Sequence, residues 1–429
     1  MSSYKAPLAI TSSFLGLKPH PTMCQATYVW IDGTGQYLRS KMRVLAEPPA
    51  SIEDYPIWNF DGSSTGQAHG HDSDVFLRPV AEFPDPFLGG HNRLVLCDTY
   101  DSNNRPTLTN HRFRCMCIMA KCADQKPWFG MEQEYFLVDV ENRPLGWPIN
   151  GFPAPQGPYY CAEGANRVFG SEIVETHARA CLHANIKLCG TNAEVAPGQW
   201  EFQVGPCEGV AMGDQLWMAR YLLNRTARAF GAVVCLDPKP FFLSGHWNGS
   251  GCHTNVSNAE MRAPRISSSG LIRGYVNAAP NRSSPVGSDR GANHFGRGPS
   301  IILAGFPHNH ASALNLDAFF RTRVQFTSSL VLDGIRVIEA AMKRLEARHS
   351  EHLRVYDAND GFDNLKRLIG QFETSDVGRF TWGVAHRGCS VRIPRQVSRD
   401  GCGYFEDRRP ASNCDPYRVT AAIAETILL

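Results

Sequence analysis

The apolar positions of this chain alternate in its first part and recur at helical spacing later. Thr27-Tyr28-Val29-Trp30-Ile31-Asp32 predicts a strand ending in the turn Gly33-Thr34-Gly35, and Tyr37 to Leu45 alternates well enough to return as its hairpin partner. Arg93-Leu94-Val95-Leu96-Cys97-Asp98 predicts another strand, so a small, mostly β unit extends to about Asn104. Trp128 to Val138 is a longer apolar run and predicts a buried strand. Two carboxylates interrupt it, and strand alternation puts Glu132 and Glu134 on one face with Gln133 on the other. Gly170 to Ala184 predicts a helix, with Ile173, His177, Cys181 and Ala184 on its inner face and His177 as a satisfied core histidine. Asp214 is expected to cap a second helix carrying Leu216, Ala219, Leu223 and Phe230 and closed by Gly231. Further stripes are Ile338, Met342 and Leu345, and Val419, Ile423 and Ile427 behind Asp415-Pro416. Between residues 263 and 333 the pattern fades into Ser, Arg, Gly, Pro and Asn, which predicts a poorly ordered insertion, and residues 1–22 read as an arm.

Composition narrows the partners. At 429 residues, 43% of them apolar and 20% charged, the chain is long enough for two domains and has an ordinary globular make-up. A net charge of +2 gives no electrostatic reason to expect nucleic acid or a membrane surface, so a small molecule is the expected partner. The fourteen cysteines are scattered through apolar segments with no CxxC pair, which predicts reduced core thiols. No secretory signal, Arg-rich transit peptide or span of transmembrane length is evident, and the expected compartment is the cytoplasm, with the mitochondrion as the alternative.

The candidate chemistry lies in carboxylates set among apolar residues. Two like charges ~4 Å apart repel by about 4 kcal/mol at an effective dielectric of 20, so Glu132 and Glu134 need either surface basic partners or a hard divalent cation. Glu194 and Glu201 add two more in the turn-rich stretch from Gly190 to Gly205. Pro56 to Gln67 reads as a loop presenting Asp61, either as a surface Ω-loop or as a functional loop on an aromatic support. His253 ends the small-residue segment from Trp247 and is either structural or a ligand. Arginines gather beside acidic residues in Arg367 to Glu373, His386 to Arg392 and Glu406 to Arg409, either as solvated salt bridges or as forks for carboxylate and phosphate. With no Walker loop and no dinucleotide glycine fingerprint, carboxylate-held metals and arginine forks point to phosphoryl transfer.

Nine ordered blocks resemble the eukaryotic glutamine synthetase family. Among them are Tyr28-Val-Trp-Ile-Asp-Gly-Thr-Gly, Trp58-Asn-Phe-Asp-Gly-Ser-Ser-Thr-Gly-Gln-Ala, Trp128-Phe-Gly-Met-Glu-Gln-Glu-Tyr, Gln199-Trp-Glu-Phe-Gln-Val-Gly-Pro-Cys-Glu-Gly, Asn248-Gly-Ser-Gly-Cys-His-Thr-Asn and Gly403-Tyr-Phe-Glu-Asp-Arg-Arg-Pro. The resemblance implies an α+β protein: an N-terminal β-grasp domain over 23–104 and, over 111–429, a catalytic α/β domain with a curved antiparallel sheet. It implies stacked rings, with a decamer expected, and active sites between neighbouring subunits. It further implies ATP-dependent condensation of glutamate with ammonia through a γ-glutamyl phosphate, with two or three Mg2+ or Mn2+ per site. Glu134, Glu194 and Glu201 would hold one ion, and Glu132, His253 and Glu406 another. Arg367 would grip glutamate, with Asn248 also on the substrate side; Arg387, Arg392 and Arg408 would neutralise phosphates. Trp128, Ser257, Arg262 and Tyr404 would line the nucleotide side, Asp61 from the next subunit would serve as base for ammonium, and Glu373 would close the site. The chain departs from the family in its insertion, in Phe372 and His386 where histidine and asparagine are usual, in Glu163, and around Phe241 to His246. The alternatives are a catalytically impaired structural relative that keeps the ring, and a ligase for another amine.

Overall fold

The computed structural model describes residues 16–240, 242, 247–264 and 333–429. Most of the expected arm, residues 265–332 of the expected insertion, and residues 241 and 243–246 lie outside the described residues.

Five strands form the first sheet: β1 (Cys24–Ile31), β2 (Leu38–Leu45), β3 (Trp58–Asp61), β4 (Asp74–Pro84) and β5 (Arg93–Tyr100), in the order β2-β1-β5-β4-β3. β1 and β2 are the hairpin that alternation predicts, with Ile31 opposite Leu38. β5 lies parallel to β1, and the chain through β3 and β4 supplies the crossover that parallel pairing requires. Tyr28, Trp30, Val75, Leu77 and Val95 fill one core, whereas Val29, Leu94 and Leu96 join a second, larger one. Burial on both faces explains why β1 and β5 read as nearly continuous apolar runs. Within the loop expected over Pro56 to Gln67, Trp58–Asp61 is strand, because Trp58 and Phe60 pair opposite Leu77 and Val75. Phe60 also packs on Trp30 at 4.5 Å between ring centroids.

The second sheet has eight strands: β6 (Trp128–Val138), β7 (Leu188–Ala193), β8 (Gln199–Glu208), β9 (Val233–Cys235), β10 (Cys252–Ser257), β11 (Trp382–Val384), β12 (Val391–Ile393) and β13 (Phe405–Asp407). Seven run in the order β11-β12-β13-β10-β6-β8-β7, and β9 pairs with the end of β6. Every pairing is antiparallel except β11 with β12. The apolar run 128–138 is thus the middle of the sheet.

Eight described helices surround the sheets: α1 (His111–Lys121), α2 (Ser171–His183), α3 (Ala211–Ala229), α4 (Gly334–Ala347), α5 (His349–Val355), α6 (Phe362–Arg367), α7 (Arg395–Asp400) and α8 (Pro416–Ile427). In α2 the predicted stripe is buried, and His177 Nε2 meets the Ala219 carbonyl at 3.0 Å. At α8 the Asp415 carboxylate accepts from the Tyr417 and Arg418 amides, as an N-cap does. Asp214 is not the cap expected of it. α3 begins three residues earlier, and the carboxylate instead takes Arg112 Nε at 2.8 Å and the Tyr417 hydroxyl at 2.6 Å. Phe230 likewise leaves the stripe: it stands just past the helix end and is exposed.

Behind the sheet, charges are paired and sealed. Arg220 on α3 donates to Gln133 Oε1 at 2.8 and 2.6 Å and to the Ser412 and Cys414 carbonyls. Asp407 and Arg409, both fully buried, meet at 2.6 Å, and the Tyr356 hydroxyl donates to Asp407 at 2.7 Å. Asp407→Asn leaves the Arg409 guanidinium buried without its counter-ion. Thermal and urea unfolding are expected to show a loss of roughly 3–5 kcal/mol, and an unchanged midpoint would refute this assignment.

Candidate functional site

The register of three neighbouring strands builds the site. Glu134 on β6 lies directly opposite Glu201 on β8, and Glu132 opposite His253 on β10. Glu194 comes from the turn between β7 and β8. One ligand atom each from Glu134, Glu194 and Glu201 lie within 4.8 Å of one another, and the same holds for Glu132, Glu201 and His253. Glu201 belongs to both groups. Glu406, expected beside Glu132 and His253, is 3.7 Å from His253 Nδ1, but its oxygens are engaged by Arg392 Nη1 at 2.8 Å and Arg408 Nη1 at 2.6 Å.

The hydrogen-bond partners of the other four carboxylates are neutral. Glu132 accepts from Asn255 Nδ2, Glu134 from the Gly251 amide at 2.6 Å, Glu194 from Asn192 Nδ2 and Glu201 from Gln203 Nε2. Neutral donors fix the oxygens without cancelling the charge. Burial, and then neighbouring carboxylates, push Glu134, Glu194 and Glu201 up to about 8. His253 is held well below the usual histidine range by burial and by Arg408, so its ring is neutral. An oxygen-rich set carrying unmatched negative charge, with one neutral imidazole, fits a hard divalent cation in each group. Gly251 makes the close approach possible: a Cβ there would stand 2.8 Å from His253 Nε2 and 3.1 Å from Arg367 Nη1.

Arginines ring the cluster. Arg367 on α6 is buried, and its Nη2 donates to the carbonyls of Arg408, Arg409 and Pro410. Arg408 also donates to the Arg387 and Glu373 carbonyls, at 3.1 and 3.3 Å. Arg387 Nη1 stands 3.6 Å from the Glu373 carboxylate, both side chains half-exposed. Phe372 and Glu373 have φ of 53° and 61° at the tip of a turn that Gly370 and Ser375 close. Arg392 Nε is buried without a partner among the described residues.

Of the residues expected on the nucleotide side, Trp128, Ser257 and Arg262 come together. Ser257 pairs with Trp128 across the β6/β10 ladder, and Arg262 donates to Ser257 Oγ at 2.9 Å with its guanidinium 3.9 Å from the Trp128 ring centroid. Tyr404 packs on the large core just before β13. Asn248 is locked to Gln156 by two hydrogen bonds. Asp61 stands apart: exposed at the edge of the first sheet, it bonds Ser63 and Ser64 of its own loop and makes no hydrogen bond to the cluster among the described residues. Those bonds, Ser63 first, lower it to about 2. Glu163 lines a groove with Glu172, Glu175 and Asn192 and is not among the clustered carboxylates.

The supports of the site are not marked by local pattern. Gln133 was placed on the opposite face by alternation, but its partner Arg220 comes from a helix 87 residues away. The signal was available in one place only: an arginine among Leu216, Ala219 and Leu223 is an unsatisfied charge that must find a partner.

Comparison with known proteins bears out the family resemblance. The family model described as "Glutamine synthetase, beta-Grasp domain" matches residues 22–102, and that described as "Glutamine synthetase, catalytic domain" matches residues 114–270. The chain is 54% identical over 420 residues to a probable glutamine synthetase of Caenorhabditis elegans, covering 98% of this chain and 96% of the relative. It is 48% identical over 420 residues to glutamine synthetase 2 cytoplasmic of Drosophila melanogaster, covering 98% and 95%. It is 45% identical over 411 residues to human glutamine synthetase, covering 96% and 91%.

Carboxyls raised from 4.5 to about 8 favour the folded, metal-free chain fully below pH 4.5, and that contribution is lost as pH rises through 8. A cation that replaces those protons should therefore stabilise more at higher pH. Unfolding temperatures with chelator and with Mn2+ are expected to diverge between pH 6 and pH 8, and Glu201→Gln to reduce the gap more than Glu194→Gln. A gap independent of pH would contradict this account.

Proposed function

The chain belongs to the glutamine synthetase family, and on that premise we propose how its own residues carry out the glutamate–ammonia ligase reaction. The observation that carries the reading is the pair of ligand groups sharing Glu201, ringed by Arg367, Arg387, Arg392 and Arg408. Glu134, Glu194 and Glu201 would hold one Mg2+ or Mn2+, and Glu132, Glu201 and His253 another, with Glu406 beside them. When bound, these ions neutralise phosphate oxygens and polarise the transferring group.

A carboxylate is a poor electrophile, so the reaction first needs the glutamate γ-carboxylate converted to an acyl phosphate by ATP. Arg367, fixed by three carbonyls, orients glutamate; its lowered value of about 10, set by burial and opposed by Glu134, still leaves it charged. Arg392 and Arg408, steered by Glu406, and Arg387 match the charge that develops on the phosphoryl oxygens. Trp128, Ser257, Arg262 and Tyr404 would receive the base of ATP, and Asn248 would lie on the glutamate side. The turn bearing Glu373 would cover the site and keep water from the acyl phosphate.

Ammonium must be held and must lose a proton before nitrogen attacks. Asp61 stays ionised at neutral pH and is exposed, as a residue that reaches into a neighbouring subunit must be. Its low value suits it to binding the cation, and closure onto a neighbour is what would raise its basicity. Stacked rings, with a decamer as the proposed state, and a cytoplasmic setting complete the reading. Among the described residues no helix is long and apolar enough to cross a membrane.

The purified full-length chain, given Mg2+ and glutamate, is expected to release phosphate from ATP in a glutamate-dependent manner that ammonium increases. Release that ignores glutamate would sink the reading. In Asp61→Asn, glutamate and ATP binding should persist while glutamine formation falls by ~10²–10⁴-fold. Unchanged glutamine output would remove Asp61 from the proposed role.

A further inference from the structure

Asn248 and Gln156 lie 92 residues apart in the chain and meet through two hydrogen bonds. The Asn248 backbone N–H donates to Gln156 Oε1 at 2.7 Å, and Gln156 Nε2 donates to Asn248 Oδ1 at 2.8 Å. The oxygen and nitrogen of a side-chain amide are alike in size, and their partners tell them apart. Here the backbone bond settles both amides. A backbone N–H can only donate, so the Gln156 atom facing it is the oxygen; the other Gln156 atom is then the nitrogen, and the Asn248 atom it meets is the oxygen. The free end of Asn248 is therefore Nδ2.

The other amides of the site have their donors engaged. Asn192 Nδ2 is on Glu194, Gln203 Nε2 on Glu201 and Asn255 Nδ2 on Glu132. Asn248 Nδ2 makes no hydrogen bond among the described residues, and Asn248 is only half-buried. Its main chain runs beside the arginine proposed to orient glutamate. A Cβ on Gly249 would stand 2.8 Å from Arg367 Cγ, and two residues further on the Gly251 amide donates to Glu134. Gln156 is anchored from the other side. The Gly157 and Cys161 amides donate to the Val195 and Ala193 carbonyls at 2.9 and 3.0 Å, so the loop that carries Gln156 is tied to the residues on either side of Glu194.

We propose that Gln156 is a positioning residue for glutamate recognition: it fixes the Asn248 amide so that the N–H donors, and not the oxygen, face a carboxylate of the substrate. Turned over, the same amide would present an acceptor to an anionic oxygen and repel it. Gln156 acts through Asn248, with no contact of its own to the substrate required. The inference rests on the ligase reading above, in which Asn248 lies on the glutamate side.

The test titrates glutamate into the full-length, Mn2+-loaded chain by calorimetry and measures KM for glutamate and for ATP on the same preparations. Two variants separate orientation from tethering. Gln156→Glu keeps an acceptor for the Asn248 N–H but meets the Asn248 side chain with a second acceptor, which turns that amide over. Gln156→Met has a similar length and removes both bonds. Glutamate affinity is expected to fall about tenfold in Gln156→Met and further in Gln156→Glu, with KM for ATP unchanged in both. Asn248→Asp retains the backbone bond and an acceptor for Gln156 Nε2, and should lose glutamate as Gln156→Glu does, so the question is still answered if the loop variants fail to fold.

A smaller loss in Gln156→Glu than in Gln156→Met would reduce Gln156 to a tether of its loop. Equal losses for glutamate and ATP would mark a general effect of charge or packing. Either result, or unchanged glutamate affinity in Asn248→Asp, overturns the proposal. A chain that binds glutamate without releasing phosphate from ATP would sink the ligase reading, and the glutamate affinities would still decide the role of Gln156. Absence of glutamate binding to the unsubstituted chain would overturn both.

Discussion

Four carboxylates held by neutral donors, three on one face of the second sheet and Glu194 in the turn beside it, are the constraint on which this structure turns. Glu134 and Glu201 sit opposite each other across a strand pair, a placement that costs energy between like charges. The surrounding chain does not neutralise them; it presents Asn192, Gln203, Asn255 and the Gly251 amide. The fold is therefore incomplete electrostatically without cations. Protons are the stand-in when metal is withheld: burial and the neighbouring carboxylates push Glu134, Glu194 and Glu201 up to about 8.

Such a face needs a rigid back. Gln133 occupies the opposite side of β6 between its two glutamates, and Arg220 clamps it while also holding the Ser412 and Cys414 carbonyls. On β13 the alternation repeats. Glu406 and Arg408 turn toward the cluster, and Asp407 and Arg409 form a sealed ion pair behind it. Glu132, Glu134, Glu406 and Arg408 thus each neighbour in sequence a residue anchored behind the sheet, which fixes their aim. Bound by two arginines and 3.7 Å from His253, Glu406 joins the carboxylate cluster to the arginines around it.

The arginine side is built more lightly. Arg367 is locked by three carbonyls, whereas Arg387 and Glu373 are half-exposed and meet at 3.6 Å, on turns that depend on left-handed backbone at Phe372 and Glu373. A turn held by few contacts is suited to opening and closing over substrate.

Period-two patterning by itself determined the β1/β2 hairpin, the central strand 128–138 and the shared face of Glu132 and Glu134, because alternation is a local property of extended backbone. Helical stripes at Ile173, His177 and Cys181 and at Val419, Ile423 and Ile427 were legible for the same reason, as was the cap at Asp415. Asp214 and Phe230 were misread where a local rule met a distant partner or simply ran past the helix end. The ordered blocks carried the family, but only the tertiary structure decided which carboxylates share a ligand group. It made Glu201 common to both, bound Glu406 to two arginines, left Asp61 apart from its own chain's cluster, and paired Gln133 with Arg220. Those outcomes depend on strand order and register between segments far apart in the chain, and spacing along a sequence carries no information about which strands become neighbours.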